Sequence, residues 1–180
     1  DPDGSIFHYN GSIWTNELSD TTAWMEFLDI YGASATDIWT ASDRDGMRHY
    51  TGAWSGSQYP WSYTINAVWA TPQGTFYIAG DNGYVWRFLD WLGLWWFRVA
   101  GWGDYQSIWG TDDSDIFVVG TGGEIVHYNG SSWTWMTSNT NRDLLHVWGL
   151  SANWVFATSV HNNRLYHYNG DNWCDVDSGT

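Results

Sequence analysis

Residues 106–133 read QSIWGTDDSDIFVVGTGGEIVHYNGSSW. Three short apolar runs alternate here with turn residues: Ser107 to Gly110, Asp115 to Gly120 and Glu124 to Tyr128. A fourth run opens at Trp133. Runs this short, rich in β-branched and aromatic residues and bounded by Gly, Asn, Asp and Ser, mark strands. Asn129-Gly130 is a hairpin signal, because both central residues of a type I′ turn need positive φ. The stretch therefore predicts four antiparallel strands, A to D in chain order.

The pattern recurs along the chain. Ile30-Tyr31-Gly32, Val68-Trp69-Ala70, Ile108-Trp109-Gly110 and Val147-Trp148-Gly149 mark four A strands, their aromatic residues 38, 40 and 39 positions apart. The C strand occurs five times, at Ile6 to Gly11, Arg48 to Gly52, Val85 to Phe88, Val126 to Gly130 and Tyr166 to Gly170. D strands are expected around Trp14, Trp54, Trp133 and Trp173, while the run 91–96 interrupts the register of the second full repeat. A period near 40 with four short strands per unit predicts an all-β fold, a β-propeller of four-stranded antiparallel blades. Four full blades are expected at about 28–65, 66–104, 105–143 and 144–180, preceded by a half blade over 1–27, in one domain. Completing the half blade would make five.

The string WG, four residues, D-I-F-V-V-G, two residues, G-x-I-x-H-Y-N-G, two residues, W resembles the repeat of bacterial secreted β-propellers, across nearly the whole chain. The resemblance implies the fold, a secreted or cell-surface location, and a binding or scaffolding role. Departures cluster in the second repeat, with Ala70 for Gly and Trp86-Arg87-Phe88 for the His-Tyr strand. The first has Tyr31 for Trp, and the fourth reads Asn153-Trp154 in place of Asp-Ile. Ala79 to Trp86 also resembles the Asp-box of sialidase-like propellers, a structural motif.

The N-terminal half blade supplies C and D strands with no A or B strand before them. Three arrangements follow: the chain is a piece of a larger propeller, the half blade pairs with another chain, or the hairpin sits at the seam. Unpaired sheet edges favour association, so the half blade is the expected point of contact with a partner.

Composition narrows the partners. Six basic residues, all arginine, stand against 20 acidic ones, for a net charge of −14. Nucleic acid and anionic membranes both demand a basic patch, so neither is an expected partner. No run approaches the ~20 apolar residues of a membrane span, so no membrane insertion is expected. The lone Cys174 excludes an intrachain disulfide framework and reads as a small buried residue.

Catalysis finds little support. The three Glu and 17 Asp include no distinguished carboxylate pair, the arginines are spread over different repeats, and no nucleophile elbow or phosphate loop occurs. No enzyme activity and no cofactor is expected. Two B-to-C turns, Asp1-Pro2-Asp3-Gly4 and Asp43-Arg44-Asp45-Gly46, have the form that begins a calcium loop. Neither supplies the further acidic ligands calcium needs. His8, His49, His127 and His167 fall at one equivalent position on separate blades, too far apart to share a metal, and read as buried imidazoles bonded to backbone or a neighbouring blade. Asp29, Ser107 and His146 align on A strands, where they could ring the central channel.

Tryptophan, 17 residues of it, is the chemical signature. The blade framework absorbs most of these rings. Trp61, Trp91, Trp95, Trp96 and Trp102, with Arg98, are left over as ligand-binding candidates. Aromatic rings beside Asn, Asp and Arg suit stacking on sugars, similar to propeller lectins, and suit protein hot spots equally. Two functions are expected: a lectin-like module binding neutral glycans in inter-blade clefts, or a protein-interaction propeller belonging to a larger extracellular assembly completed by another chain.

Overall fold

The computed structural model describes residues 4–20, 26–43, 47–56, 63–89, 93–98, 103–160 and 163–176, giving for Asp20, Leu89 and residues 93–98 the backbone path alone. Within these ranges the chain forms one two-stranded and four four-stranded antiparallel sheets. An N-terminal hairpin pairs β1 (Gly4–Tyr9) with β2 (Trp14–Asp20). Blade 1 runs β3 (Phe27–Ser34), β4 (Asp37–Ser42), β5 (Arg48–Tyr50) and β6 (Trp54–Ser55). Blade 2 comprises β7 (Ile65–Ala70), β8 (Phe76–Gly80), β9 (Tyr84–Leu89) and β10 (Gly93–Arg98). Blade 3 comprises β11 (Tyr105–Asp112), β12 (Asp115–Gly120), β13 (Ile125–Tyr128) and β14 (Trp133–Met136). Blade 4 comprises β15 (Leu144–Ser151), β16 (Trp154–Ser159), β17 (Leu165–Tyr168) and β18 (Trp173–Asp175). In each, sequence order is spatial order, and the A strands β3, β7, β11 and β15 pack on one another in turn. This is the β-propeller architecture.

The core lies between blades. In β12 the residues Ile116 to Gly120 are all buried, and so are all five residues of β8, because a neighbouring sheet covers each face. A strand enclosed on both sides reads as a continuous apolar run. The equivalent β16 alternates buried with more open residues, since among the described residues blade 4 has a neighbouring sheet on one face alone.

The joint between blades explains the aromatic-glycine pair of the A strand. A Cβ added to Gly110 would lie 2.9 Å from Cη2 of Trp69, and one added to Gly149 would lie 2.6 Å from Cη2 of Trp109. Each tryptophan thus rests on the glycine of the next blade. Where the first aromatic is the smaller Tyr31, the receiving position carries Ala70, in a cluster against which Tyr31 packs. Two of the repeat's departures therefore compensate each other.

The H-Y-N-G-x-x-W segment closes the C–D hairpin. Asn129 Oδ1 accepts from the N–H groups of Ser131 and Ser132, both at 3.0 Å, and Tyr128 Oη donates to the Gly130 carbonyl at 2.9 Å. The Tyr128 and Trp133 rings then meet across the strands at 5.1 Å. The same unit recurs around Asn10 and Asn169. The loop is four residues long, from Asn129 to Ser132, and only its glycine has positive φ, +87° at Gly130. It is not the type I′ turn expected from the dipeptide, because the asparagine side chain caps the loop itself.

Three further expectations change. The segment read as an interruption at 91–96 overlaps a regular D strand, with Trp95 paired to Arg87 and Trp96 to Trp86. In blade 4, Trp154 itself stands where blade 3 has Asp115, and Val155 follows in the place of Ile116. Cys174 is exposed, because it sits on the outermost strand.

Gly110→Ala is expected to lower stability by about 1–3 kcal/mol, since its Cβ would also fall 2.4 Å from the Asp115 carbonyl. Gly32→Ala, whose nearest neighbour is Ile38 Cγ1 at 3.4 Å, should stay within about 0.5 kcal/mol. Urea unfolding midpoints of the two variants check the contrast.

Candidate functional site

The blades differ in how they treat one pair of facing positions at the B and C strands. In blade 3, His127 Nε2 donates to Asp115 Oδ1 at 2.6 Å, Thr111 Oγ1 donates to Asp115 Oδ2 at 2.8 Å, and the imidazole stacks on Phe117 at 4.3 Å. Blade 1 repeats the arrangement: Asp37 Oδ1 accepts from His49 Nε2 and from Trp39 Nε1, both at 2.8 Å, with the Trp39 and His49 rings 3.7 Å apart. The two histidines are thus bonded to a carboxylate within their own blade. In blade 4, Trp154 replaces that carboxylate and meets His167 at 4.3 Å. His167 Nε2 is buried there without a hydrogen-bond partner among the described residues.

Blade 2 exchanges both partners. Thr75 stands in the aspartate position and Arg87 in the histidine position. The carboxylate comes from blade 3: Asp113, in the β11–β12 turn, accepts from Thr75 Oγ1 at 2.7 Å and Tyr77 Oη at 3.0 Å, and pairs with Arg87 Nη2 at 3.4 Å. Burial pushes the Tyr77 phenol well above the usual tyrosine range, so it stays a neutral donor. Arg87 also lies over the Tyr77 ring, 5.7 Å from its centroid. Losing the His-Tyr strand in this repeat therefore goes with a contact between sheets.

Two of the channel candidates, Asp29 and Ser107, form clasps between A strands. Asp29 Oδ2 accepts from the Val68 N–H of blade 2 at 3.0 Å, and Ser107 Oγ accepts from the Val147 N–H of blade 4 at 3.2 Å. His146 is exposed on β15, near enough for its charge to act on Asp29. Burial raises the Asp29 carboxyl above its ordinary value of 3.8, against the pull of the Val68 and Ile30 N–H groups and His146.

Between blades 1 and 2 lies a cleft of about 380 Å³, with Asp37, Trp39, His49, Phe76 and Phe88 in its wall. Trp39 is stacked on His49 and also 4.6 Å from Phe76, so its ring faces are largely occupied. Of the ligand candidates, Trp61, Trp91 and Trp102 lie outside the described residues, while Trp95, Trp96 and Arg98 fall on β10. Residues 1–3 and 44–46 of the calcium-like turns also lie outside; Asp43 caps the chain before β3, its Oδ1 accepting from the Glu26 N–H at 2.8 Å.

Large apolar side chains stand exposed at both ends of the row of blades. At the N-terminal end they are Phe7, Tyr9, Ile13 and Trp14 of the hairpin and Ile30 of β3; at the other they are Trp148, Leu150 and Trp154. Trp148 is 57% exposed, whereas its equivalent Trp69 is 5% exposed beneath the next blade. Trp14 and Trp148 fall in the framework where the repeat predicts them, but no local signal shows that the end rings are uncovered.

No protein-family model and no curated protein sequence matches the chain. Solved structures do resemble it, and they are β-propellers. YCF48 bound to D1 peptide is 12% identical, with a TM-score of 0.69 over 95% of this chain and 60% of that one. YCF48 from Cyanidioschyzon merolae is 13% identical, with a TM-score of 0.65 over 93% and 61% respectively. Saccharomyces cerevisiae Sqt1 is 14% identical, with a TM-score of 0.70 over 97% and 55% respectively. The chain thus spans somewhat over half the length of each.

Asp113→Ala should cost on the order of 2 kcal/mol by stranding Arg87, while Asp112→Ala, which removes a contact to Ser114 alone, costs much less. Urea midpoints of both variants measure this. The raised carboxyl of Asp29 makes the native state bind its proton more tightly than the unfolded chain does. Its contribution is therefore full below the ordinary aspartate value and is lost as pH climbs through the raised one. Stability of the unsubstituted chain should fall relative to Asp29→Asn across that window, read from midpoints between about pH 3 and pH 6.

Proposed function

We propose that this chain is a non-catalytic protein-interaction propeller. The observation that carries the reading is the aromatic surface left open at both ends of the blade row, at Phe7, Tyr9 and Trp14 and again at Trp148 and Trp154. Contiguous exposed apolar patches of this kind mark protein interfaces, and Trp and Tyr dominate interface energetics. Elsewhere in the chain the same residue positions are covered by protein, so the natural complement of these faces is protein. Support also comes from a propeller of similar fold that is described as bound to a peptide.

The lectin reading fits less well. A sugar stacks on an open ring face, yet in the cleft between blades 1 and 2 Trp39 is already stacked on His49 and close to Phe76. A displayed library of linear peptides and a neutral-glycan array, both probed with the folded chain, separate the two readings. Peptides with roughly micromolar Kd are expected, weakened at least about tenfold by Trp14→Ser or Trp148→Ser. Saturable glycan binding, or peptide binding indifferent to both substitutions, overturns the proposal.

A further inference from the structure

The cleft between blades 1 and 2 holds a carboxylate oxygen that the fold itself does not use. Asp37 Oδ1 accepts from both His49 Nε2 and Trp39 Nε1, while Oδ2 has no hydrogen-bond partner among the described residues. The equivalent Asp115 gives its second oxygen to Thr111 Oγ1, a position that falls to Ala33 in blade 1. The Asp37 side chain is accordingly 40% exposed, against 14% for Asp115. Blade 2 opens the space in front of it. Where Tyr168 and Trp173 of blade 4 close on Phe117 at 5.6 and 6.3 Å, the register of blade 2 supplies Phe88 and Leu94. By the same register Gln73 and Gly74 take the places of Asp113 and Ser114; Gln73 is exposed, and Gly74 brings no side chain to the cleft wall. The neighbouring joint shows what such a space takes. There Arg87 lies over the Tyr77 ring, 5.7 Å from its centroid, with Nη2 3.4 Å from the Asp113 carboxylate of the facing blade. No arginine stands in the wall of the cleft among the described residues, although Asp37, Phe76 and Phe88 offer one the same acid and aromatic rings.

We propose that this cleft receives an arginine side chain of a partner protein, whose guanidinium donates to Asp37 Oδ2. The inference rests on the protein-interaction reading above and gives it a contact of defined chemistry. The methylene stem lies along Phe76 and Phe88, as long cationic side chains cover apolar surface generally. A guanidinium keeps its charge, donates within a plane and lies against aromatic rings, which a lysine ammonium does less well. The hydroxyls of Thr36 and Thr51, both exposed in the cleft wall, accept its remaining N–H groups. Stacking on Trp39 plays no part, because that ring already lies against His49 and Phe76. Charge complementarity favours the same occupant, since a chain of net charge −14 draws basic segments to its surface.

The probe is the peptide Gly-Ser-Arg-Ser-Gly, capped at both ends and titrated into the folded chain at pH 8 and low salt, beside versions with lysine or citrulline in place of the arginine. The Trp39 indole N–H, which donates to Asp37, is the local NMR reporter. Its signal should shift saturably with a Kd of roughly 1 mM, in keeping with a single charge-assisted contact. Asp37→Asn keeps the oxygen that accepts from Trp39 and His49 but removes the charge, and should weaken binding at least about tenfold. Thr36→Arg, at an exposed position beside the carboxylate, supplies the cation from the chain itself and should weaken binding as much. Asp112→Asn, which neutralises an exposed carboxylate of another blade, should leave it unchanged. Lysine should weaken binding and citrulline abolish it. Absence of a saturable shift, equal binding of the lysine or citrulline peptide, or full binding by both Asp37→Asn and Thr36→Arg overturns the proposal. So does a fall in melting temperature on Asp37→Asn as large as that on Asp113→Asn, which would give the carboxylate to an arginine of this chain. If the arginine peptide fails while peptides from the displayed library still bind, this inference falls and the protein-interaction reading stands.

Discussion

A tryptophan resting on a glycine one blade further on is the contact from which the rest of the fold follows. It sets the spacing between A strands, because any side chain on Gly110 or Gly149 would occupy the ring's place. Once that distance is set, the B strands behind are enclosed on both faces, and apolar residues run through them without alternation. Stability is then distributed as in other stacked-repeat proteins, with each unit contributing its own hydrogen bonds and a share of two interfaces. The interior blades have both shares and the terminal sheets have one. Trp148 and Ile30, exposed where their equivalents are buried, record that difference side chain by side chain.

Polar contacts individualise the blades. An aspartate and a histidine on adjacent strands form a self-contained pair in blades 1 and 3, while blade 2 draws its carboxylate from a turn of blade 3. Both solutions leave a half-buried cation or imidazole next to a carboxylate, as the cost of burying an unpartnered charge demands. Blade 4 departs from this, since Trp154 gives His167 a ring edge in place of an acceptor. Its aromatic pair stands on the face that no other blade covers among the described residues.

The architecture was legible because it is written in period. A spacing near 40, the aromatic-glycine step and the H-Y-N-G-x-x-W unit are local signals repeated often enough to survive individual departures. The site was less legible for physical reasons. Asp113 is one aspartate among three within four residues, and nothing local marks it, rather than Asp115, as the partner of Arg87. The roles of Asp29 and Ser107 depend on an N–H about 40 residues away along the chain. Trp95 and Trp96 looked like an interruption because dense aromatic residues mask the alternation that reveals a strand. The register at Trp154 is hidden in the sequence because a polar residue followed by an apolar one occurs one position early, at Asn153-Trp154, and matches Asp-Ile equally well.

The Arg87–Asp113 contact also bears on how such a chain can change over evolutionary time. Repeats of this kind expand and contract by duplication and loss of whole units, which is harmless when every unit carries its own charge partners. Blade 2 does not. A duplication that placed a copy of blade 2 before any blade lacking an acid at the Asp113 position would leave a half-buried guanidinium beside Tyr77 with no counter-charge. Blades 2 and 3 are therefore coupled through Asp113, a two-blade block inside a one-blade repeat.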